Sequence, residues 1–454
     1  LGQREPGGGD LSRSTAPTGP RARLLARGRA LLAGSPFLAH VLTLMTGTAM
    51  AQGAAFLMTM VLARIYTPRD MGLLATYIAV ASILVAVAAL RYDMAIMLPK
   101  REDQALSVAR LGVVCLTIVS LAATVLSFPL NGIVSHYWGH EVAVWMPMVG
   151  LTTFLMSGVE LMKYWFNRNS DYRTIALNQA EQQIGLTGGQ LVLGLTGLGG
   201  LAGLILGHTA GQFFAFVNLG RQAGPLRRPR PAGAPSLGWA ARRYRRMPLL
   251  NAPNALVDAV RLNGIQLLIG GYSAAALGQF QMAWRVLDAP LILINGAVAR
   301  VFFQKLSTVE PGQMQPLVRT TIKRAVLIGI VPFALIFLLS PWIFPLFFGS
   351  QWDQAGDFGR ALTPWLFMML ITSPISNLFV VTEHQDWMLG FAILYAAAPL
   401  AWLSVSPLDL LTTSYILGAI MAVLLVAMTV MADLSAAHYD RDGRRLAQAG
   451  VEAD

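Results

Sequence analysis

Runs of about twenty apolar residues recur along the chain, each closed by a short cluster of charged residues, glycine or proline. Such a run is long enough for a helix to cross the hydrocarbon core of a bilayer. The pattern predicts twelve spans, at about 38–63, 71–97, 106–128, 143–163, 174–196, 199–219, 250–271, 275–299, 322–347, 358–381, 387–405 and 411–433. Tight turns at Gly197-Leu198-Gly199-Gly200 and Ser406-Pro407-Leu408-Asp409-Leu410 join spans five to six and eleven to twelve. Alternating segments of about ten residues, the mark of a transmembrane β-barrel, do not occur. The expected fold class is an all-α polytopic membrane protein of about twelve transmembrane helices, in two six-helix lobes around a central cavity.

The polar stretches divide the chain. Residues 1–36, rich in Gly, Pro and Arg, are expected to be a disordered basic cytoplasmic tail. Residues 37–219 form the N-terminal lobe, 220–249 a basic cytoplasmic linker, 250–433 the C-terminal lobe and 434–454 a second cytoplasmic tail. A weak repeat relates the lobes. Tyr66 and Gly72 bracket the first hairpin with the same spacing that Tyr272 and Gly278 show between spans seven and eight. Phe128-Pro129-Leu130 closes span three as Phe344-Pro345-Leu346 closes span nine. Parallel-related halves of this kind are found in alternating-access transporters.

Composition supports the membrane reading. The chain is 55% hydrophobic and only 13% charged, against about 25% charged in soluble domains. The net charge of +11 would suit a nucleic-acid binder, but its distribution says otherwise. Most of the 34 Lys and Arg fall in the alternate loops that share a side with the N-terminus. An excess of Lys and Arg marks cytoplasmic loops, which puts both termini in the cytoplasm and leaves no role for nucleic acid. Arg64, Arg69 and Arg360 are the basic residues of the opposite side. The single Cys115 lies in an apolar run and is expected to fill space rather than bind metal or form a disulfide.

Three arginines, Arg91, Arg261 and Arg285, fall inside apolar runs. An ionised group at bilayer depth costs about 2.5 kcal/mol or more, so it usually faces a bundle interior or a water-filled cavity. Arg261 and Arg285 lie near the middle of spans seven and eight. Asp258 precedes Arg261 by three positions and Asp288 follows Arg285 by three, so antiparallel spans set both carboxylates one turn to the same side of both arginines. Mutual neutralisation within i,i+3 pairs explains this. A cationic spot for an anionic head group explains it too, because the guanidinium fork fits phosphate. Arg91 and Asp93 lie near the cytoplasmic rim of span two, suited either to snorkelling or to a first contact with an anion. Span five is polar, with Glu181, Gln182, Gln183 and Gln190, and span six holds His208; these are candidates to line an aqueous path. Glu160 with Lys163 reads as interfacial, and His136, His140 and Glu141 as a surface loop. No zinc-protease, nucleophile-elbow, phosphate-loop or paired-cysteine motif occurs.

Several stretches carry a family resemblance. Arg64-x-Tyr66-x-Pro68-x3-Gly72, Arg91-Tyr92-Asp93-Met94-Ala95-Ile96, Gly349-x2-Trp352-x2-Ala355-Gly356, Ser373-Pro374-Ile375-Ser376 and Glu383-His384-Gln385 resemble the Wzx-type polysaccharide flippases of the multidrug/oligosaccharidyl-lipid/polysaccharide superfamily, over about residues 38–433. The resemblance implies a bacterial inner (cytoplasmic) membrane protein, not an enzyme, without cofactor or metal. Its cargo would be an undecaprenyl-diphosphate-linked oligosaccharide, moved to the outer leaflet by alternating access for lipopolysaccharide or exopolysaccharide assembly. Arg91, Arg261 and Arg285 would bind the diphosphate; Asp93, Asp258 and Asp288 would restrain them or couple ions; Glu181, Gln182, Gln190 and His208 would line the cavity. Partners would be membrane lipids and, as further candidates, a polysaccharide polymerase or other assembly proteins. The two additional spans of lipid II flippases are not found. A drug or cation antiporter of the same superfamily and a membrane glycan polymerase or acyltransferase are the alternatives.

Overall fold

A computed structural model describes residues 53, 56–227, 234–306, 309, 312–376, 378–382 and 384–451. The tail expected at 1–36, the start of the first span and part of the basic linker lie outside the described residues, as does Glu383. Among the described residues there is no strand. The first half contains α1 (Phe56–Ile65), α2 (Pro68–Ala88), α3 (Glu102–Trp138), α4 (Val149–Arg168), α5 (Tyr172–Leu195) and α6 (Gly200–Gln222). A short linker helix, α7 (Leu237–Arg243), precedes the second half, which contains α8 (Ala252–Tyr272), α9 (Ala274–Leu306), α10 (Met314–Phe348), α11 (Asp353–Ile375), α12 (Gln385–Val405) and α13 (Leu410–Val451). The fold class is therefore all-α and polytopic, as the hydropathy pattern predicts.

Among the described residues, length and composition alone qualify seven helical segments as membrane spans. The long helices that do not qualify are α5, α8, α9 and α11. Three of them carry the polar candidates: Glu181, Gln182 and Gln190 on α5, Asp258 and Arg261 on α8, Arg285 and Asp288 on α9. Helices with a polar stripe of this kind belong beside a cavity rather than against lipid.

Local signals explain several boundaries. Thr67 caps α2: its hydroxyl accepts from the Asp70 N–H, and the Asp70 carboxylate accepts from the Thr67 N–H at 3.0 Å. Pro68 occupies the first turn, where no N–H is needed. Asp171 caps α5 in the same manner through Thr174. Span two departs from expectation. The predicted continuous helix to residue 97 stops at Ala88, and Leu90 and Arg91 both take left-handed backbone, with φ of 48° and 61°. One more turn, Tyr92–Ala95, follows. Neither residue is glycine, so each left-handed conformation costs roughly 1–2 kcal/mol, and nothing in the local sequence announces the break.

Close helix approach depends on glycine at two places. Helices α5 and α6 meet through Gly185, Gly189, Gly207 and Gly211; a Cβ on Gly207 would stand 2.4 Å from the Gln190 nitrogen, and one on Gly211 2.3 Å from the Leu186 nitrogen. The second place lies between the halves, where α2 crosses α9. A Cβ on Gly72 would stand 1.7 Å from the Ala274 carbonyl oxygen, and one on Gly278 1.8 Å from the Pro68 carbonyl oxygen. These contacts are reciprocal under the sequence repeat, since Pro68 corresponds to Ala274 as Gly72 does to Gly278. The Tyr-x5-Gly repeat thus marks a local two-fold crossing of the lobes.

Other contacts between the halves gather at that same end. The Trp352 indole donates to the Ala63 carbonyl at 2.8 Å, Gln351 donates to Ala63 as well, and the Trp138 indole donates to the Leu267 carbonyl at 2.9 Å. At the opposite, arginine-rich end, α13 continues as a helix well beyond its span. There Asp440 accepts from the backbone N–H groups of Gly312, Met314 and Gln315, and Asp433 takes two hydrogen bonds from Arg319 at 2.7 and 2.9 Å.

Candidate functional site

The site is built from α8 and α9, with α6 and α12 beside them. On α8, Arg261 makes one contact with Asp258, at 3.4 Å. The Asp258 side chain is 64% exposed and that of Arg261 26%. A single long contact to an exposed carboxylate is weak, and the arginine makes a second contact. Its guanidinium lies 5.9 Å from the ring centre of Tyr395 on α12, a cation–π distance. The Tyr395 hydroxyl accepts from the Trp365 indole at 2.7 Å, and Trp365 packs edge-on against Trp284 with centroids 4.8 Å apart. Sequence reasoning missed this aromatic wall. Trp284 lies next to Arg285 in sequence, but Trp365 and Tyr395 are brought in from α11 and α12.

On α9, Arg285 is exposed although it lies in the middle of a long helix. Its charge acts on His208 of α6, in the other half. Arg285 is thus accessible at mid-helix and within electrostatic reach of the first half. Among the described residues no ion pair joins Arg285 to Asp288, and none crosses from α8 to α9. The arrangement of two neutralised pairs, one per helix, is therefore realised only on α8, and there loosely. The physical reason is geometric: an i,i+3 spacing permits a pair without requiring one, and Arg285 lies close enough to His208 of α6 for its charge to act there.

The α5–α6 hairpin spends most of its polar groups on itself. Gln182 donates to Gln212 at 2.7 Å, Asn218 donates to Glu181, and Asn178 donates to the Ala215 carbonyl at 3.0 Å. Gln190 is buried, and its side-chain amide donates to the Leu204 carbonyl at 3.2 Å, while its backbone carbonyl accepts from the Tyr66 hydroxyl at 2.7 Å. Gln190 therefore departs from the cavity-lining expectation and fastens α5 to α6 and to the end of α1. Glu181, Gln182 and His208 remain half-buried along the same hairpin.

Arg91 and Asp93 lie apart from this group, at the broken end of span two. The Arg91 Nε and one Asp93 carboxylate oxygen are buried without a partner. One Arg91 amino group lies against the Met94 sulfur, and Glu160 of α4 adds its charge to that of Asp93. Glu160 itself pairs with Lys163 at 2.8 Å. The three sequence-predicted arginines do not converge on one point. Arg285 and Arg261 belong to neighbouring helices of the second half, and Arg91 belongs to the arginine-rich rim of the first.

A family model for polysaccharide biosynthesis proteins matches residues 61–357, well over half of the chain and including α8 and the described arginines. The chain belongs to that family. This polysaccharide biosynthesis protein is similar in fold to a multidrug resistance MATE family transporter of the MOP superfamily in its inward-facing conformation. The TM-score is 0.66 at 14% identity, over 86% of this chain and 96% of that one. It is similar to the same degree to the lipid II flippase MurJ in an inward closed conformation, with TM-score 0.66, 14% identity, and coverage of 91% and 93%. None of the curated proteins matches the chain. At such identity these likenesses describe the fold: two helical lobes, the arrangement the hydropathy and the repeat predict.

Proposed function

We propose that this polysaccharide biosynthesis protein is a flippase that carries an undecaprenyl-diphosphate-linked oligosaccharide from the cytoplasmic to the outer leaflet of the bacterial inner membrane. The observation that carries the reading is Arg285, exposed at mid-helix within electrostatic reach of His208 and, among the described residues, without a carboxylate paired to it. A lone guanidinium in that position needs an anion, and a lipid diphosphate supplies one with matching fork geometry. Arg261, held only by a 3.4 Å contact and the Tyr395 face, is free to exchange Asp258 for substrate. Arg91 would meet the head group earlier, at the rim. The arginine-rich loops belong to the cytoplasmic side under the positive-inside rule, so the tight Gly72–Gly278 crossing closes the outer side and loading occurs from the cytoplasm. Asp258, Asp288 and Asp93 then restrain the arginines or follow a coupling ion. Product glycan would pass to the polymerase and other assembly proteins for lipopolysaccharide or exopolysaccharide.

Deletion of the gene followed by lipid extraction tests this. The expected result is accumulation of an undecaprenyl-diphosphate glycan on the cytoplasmic leaflet, reversed by the wild-type gene and not by R261A/R285A. Outer-leaflet glycan at normal levels in the deletion strain sinks the proposal. The drug or cation antiporter reading is favoured by the likeness in fold to the MATE transporter. It predicts drug sensitivity of the deletion strain with normal glycan, but a cationic central space opposes cationic substrates. The polymerase or acyltransferase reading requires the purified protein to lengthen or acylate a lipid-linked sugar.

A further inference from the structure

Helix α7 and the turn after it present four arginines, Arg242, Arg243, Arg245 and Arg246, all exposed. They line one concavity together with Ser236, Gly238 and Trp239. Among the described residues no carboxylate pairs with any of them. Like charges gathered this closely repel one another, so the fold must hold them in place by other contacts. It does so through the buried side of the segment. Ala240 is fully buried in the cluster that contains Tyr92, Ala95, Ile96 and Leu106, with Trp239, Tyr244 and Met247 packed against it. The Ser107 hydroxyl donates to the Pro235 carbonyl at 2.8 Å, and the Ser236 hydroxyl accepts from the Trp239 N–H at 3.1 Å. Trp239 and Tyr244 meet edge to face at 6.2 Å. The arginine pocket is therefore seated on the rim of α3 and not on a loose loop.

Apolar groups surround the charge. Leu237, Leu249 and Leu250, on the same stretch of chain, are exposed, and Trp239 lines the pocket. Guanidinium groups, an indole and exposed leucines on one segment fit the layer where lipid phosphates meet acyl chains. A soluble anion would need the arginines and not the leucines. A diphosphate bound for the central space would be better served by arginines facing the bundle.

We propose that the pocket formed by Trp239, Arg242, Arg243, Arg245 and Arg246 is a binding site for the phosphate head group of an anionic membrane phospholipid. The site lies outside the substrate path proposed above and does not depend on it. It anchors the end of the segment that joins the two lobes to the lipid surface and to the rim of α3.

The test uses the full-length protein in nanodiscs of phosphatidylcholine with or without phosphatidylglycerol, with bound lipid counted by native mass spectrometry after gentle extraction. The wild type is expected to retain phosphatidylglycerol in preference to phosphatidylcholine. Each arginine replaced by alanine should lower that affinity about fivefold, the loss expected for one basic residue at an anionic surface. A quadruple Arg→Lys variant keeps the charge but loses the forked geometry, and it should bind less well than wild type. Because all four side chains are exposed, the melting temperature in neutral lipid should not change. Three results overturn the proposal: full retention of phosphatidylglycerol by the quadruple alanine variant, wild-type binding by the lysine variant, or displacement of phosphatidylglycerol from the pocket by trace polyprenyl diphosphate.

Discussion

At the arginine-rich end of the second lobe, Asp440 is 2% exposed and accepts hydrogen bonds from three backbone N–H groups at the start of α10. In the middle of the same lobe, Asp258 is 64% exposed and holds Arg261 by one contact of 3.4 Å. Both are carboxylates on long, apolar helices, and both accept hydrogen bonds. Asp440 is fully used by the fold: it caps a helix whose first donors would otherwise be unpaired. Asp258 is barely used, and among the described residues no carboxylate pairs with Arg285 nearby. Charges that serve stability are saturated here, whereas Arg261 and Asp258 share one long contact, and on that difference the proposed substrate role rests.

That contrast can be broken by mutation. The largest effect is expected from R261A/R285A. Charge-assisted hydrogen bonds contribute about 1.5–3 kcal/mol each, so losing two should cut glycan translocation at least roughly a hundredfold, with melting temperature and membrane insertion nearly unchanged. Near-normal export would return both arginines to a structural role. Next comes Asp440→Ala, which strips the cap from α10 and should destabilise the protein by about 2 kcal/mol, read as a lower melting temperature in detergent. Asp440→Asn, which keeps an acceptor, should lose less. An equal loss in both would show that charge rather than capping matters.

Asp258→Asn should shift stability by about 0.5 kcal/mol or less, as for an exposed pair. If it instead destabilises as strongly as Asp440→Ala, the proposed availability of Arg261 is wrong. The double variant D258N/R261A should insert normally and still fail to transport. The smallest effect concerns pH. Hydrogen bonds from Thr174 hold the Asp171 carboxyl below its ordinary value, and those from Thr412, its backbone N–H first, do the same for Asp409. A lowered folded-state value means the caps stabilise above the unfolded value of about 3.9 and that this contribution fades as pH falls through the lower folded value. Melting curves should therefore show a slight acid destabilisation that D171N/D409N lacks.

Much of this was legible in the residues. Hydropathy alone predicts the helical polytopic class, because a bilayer admits few other ways to satisfy backbone hydrogen bonds. The same pattern singles out α5, α8 and α9 as polar helices. The repeat of Tyr66–Gly72 in Tyr272–Gly278 anticipated related halves, though not that Gly72 and Gly278 would touch. Other features were invisible. The left-handed Leu90 and Arg91 break span two without glycine or proline to signal it. Gln190 looked like a cavity residue because its type is polar, and only its bond to Leu204 shows it to be a fastener. Asp440 lay in a segment expected to be a tail, 128 positions from Gly312, a distance over which no local pattern reports contact.

By itself the sequence determined the helical polytopic class and which charges are costly in a bilayer, since both follow from transfer energies that depend on residue type and run length. Tertiary structure alone decided which charges are spent. Arg285 set within electrostatic reach of His208, Arg261 placed over Tyr395, Gln190 bonded to Leu204 and Asp440 set at the start of α10 each depend on helices far apart in the chain. A one-dimensional pattern encodes helix faces, but not which face meets which.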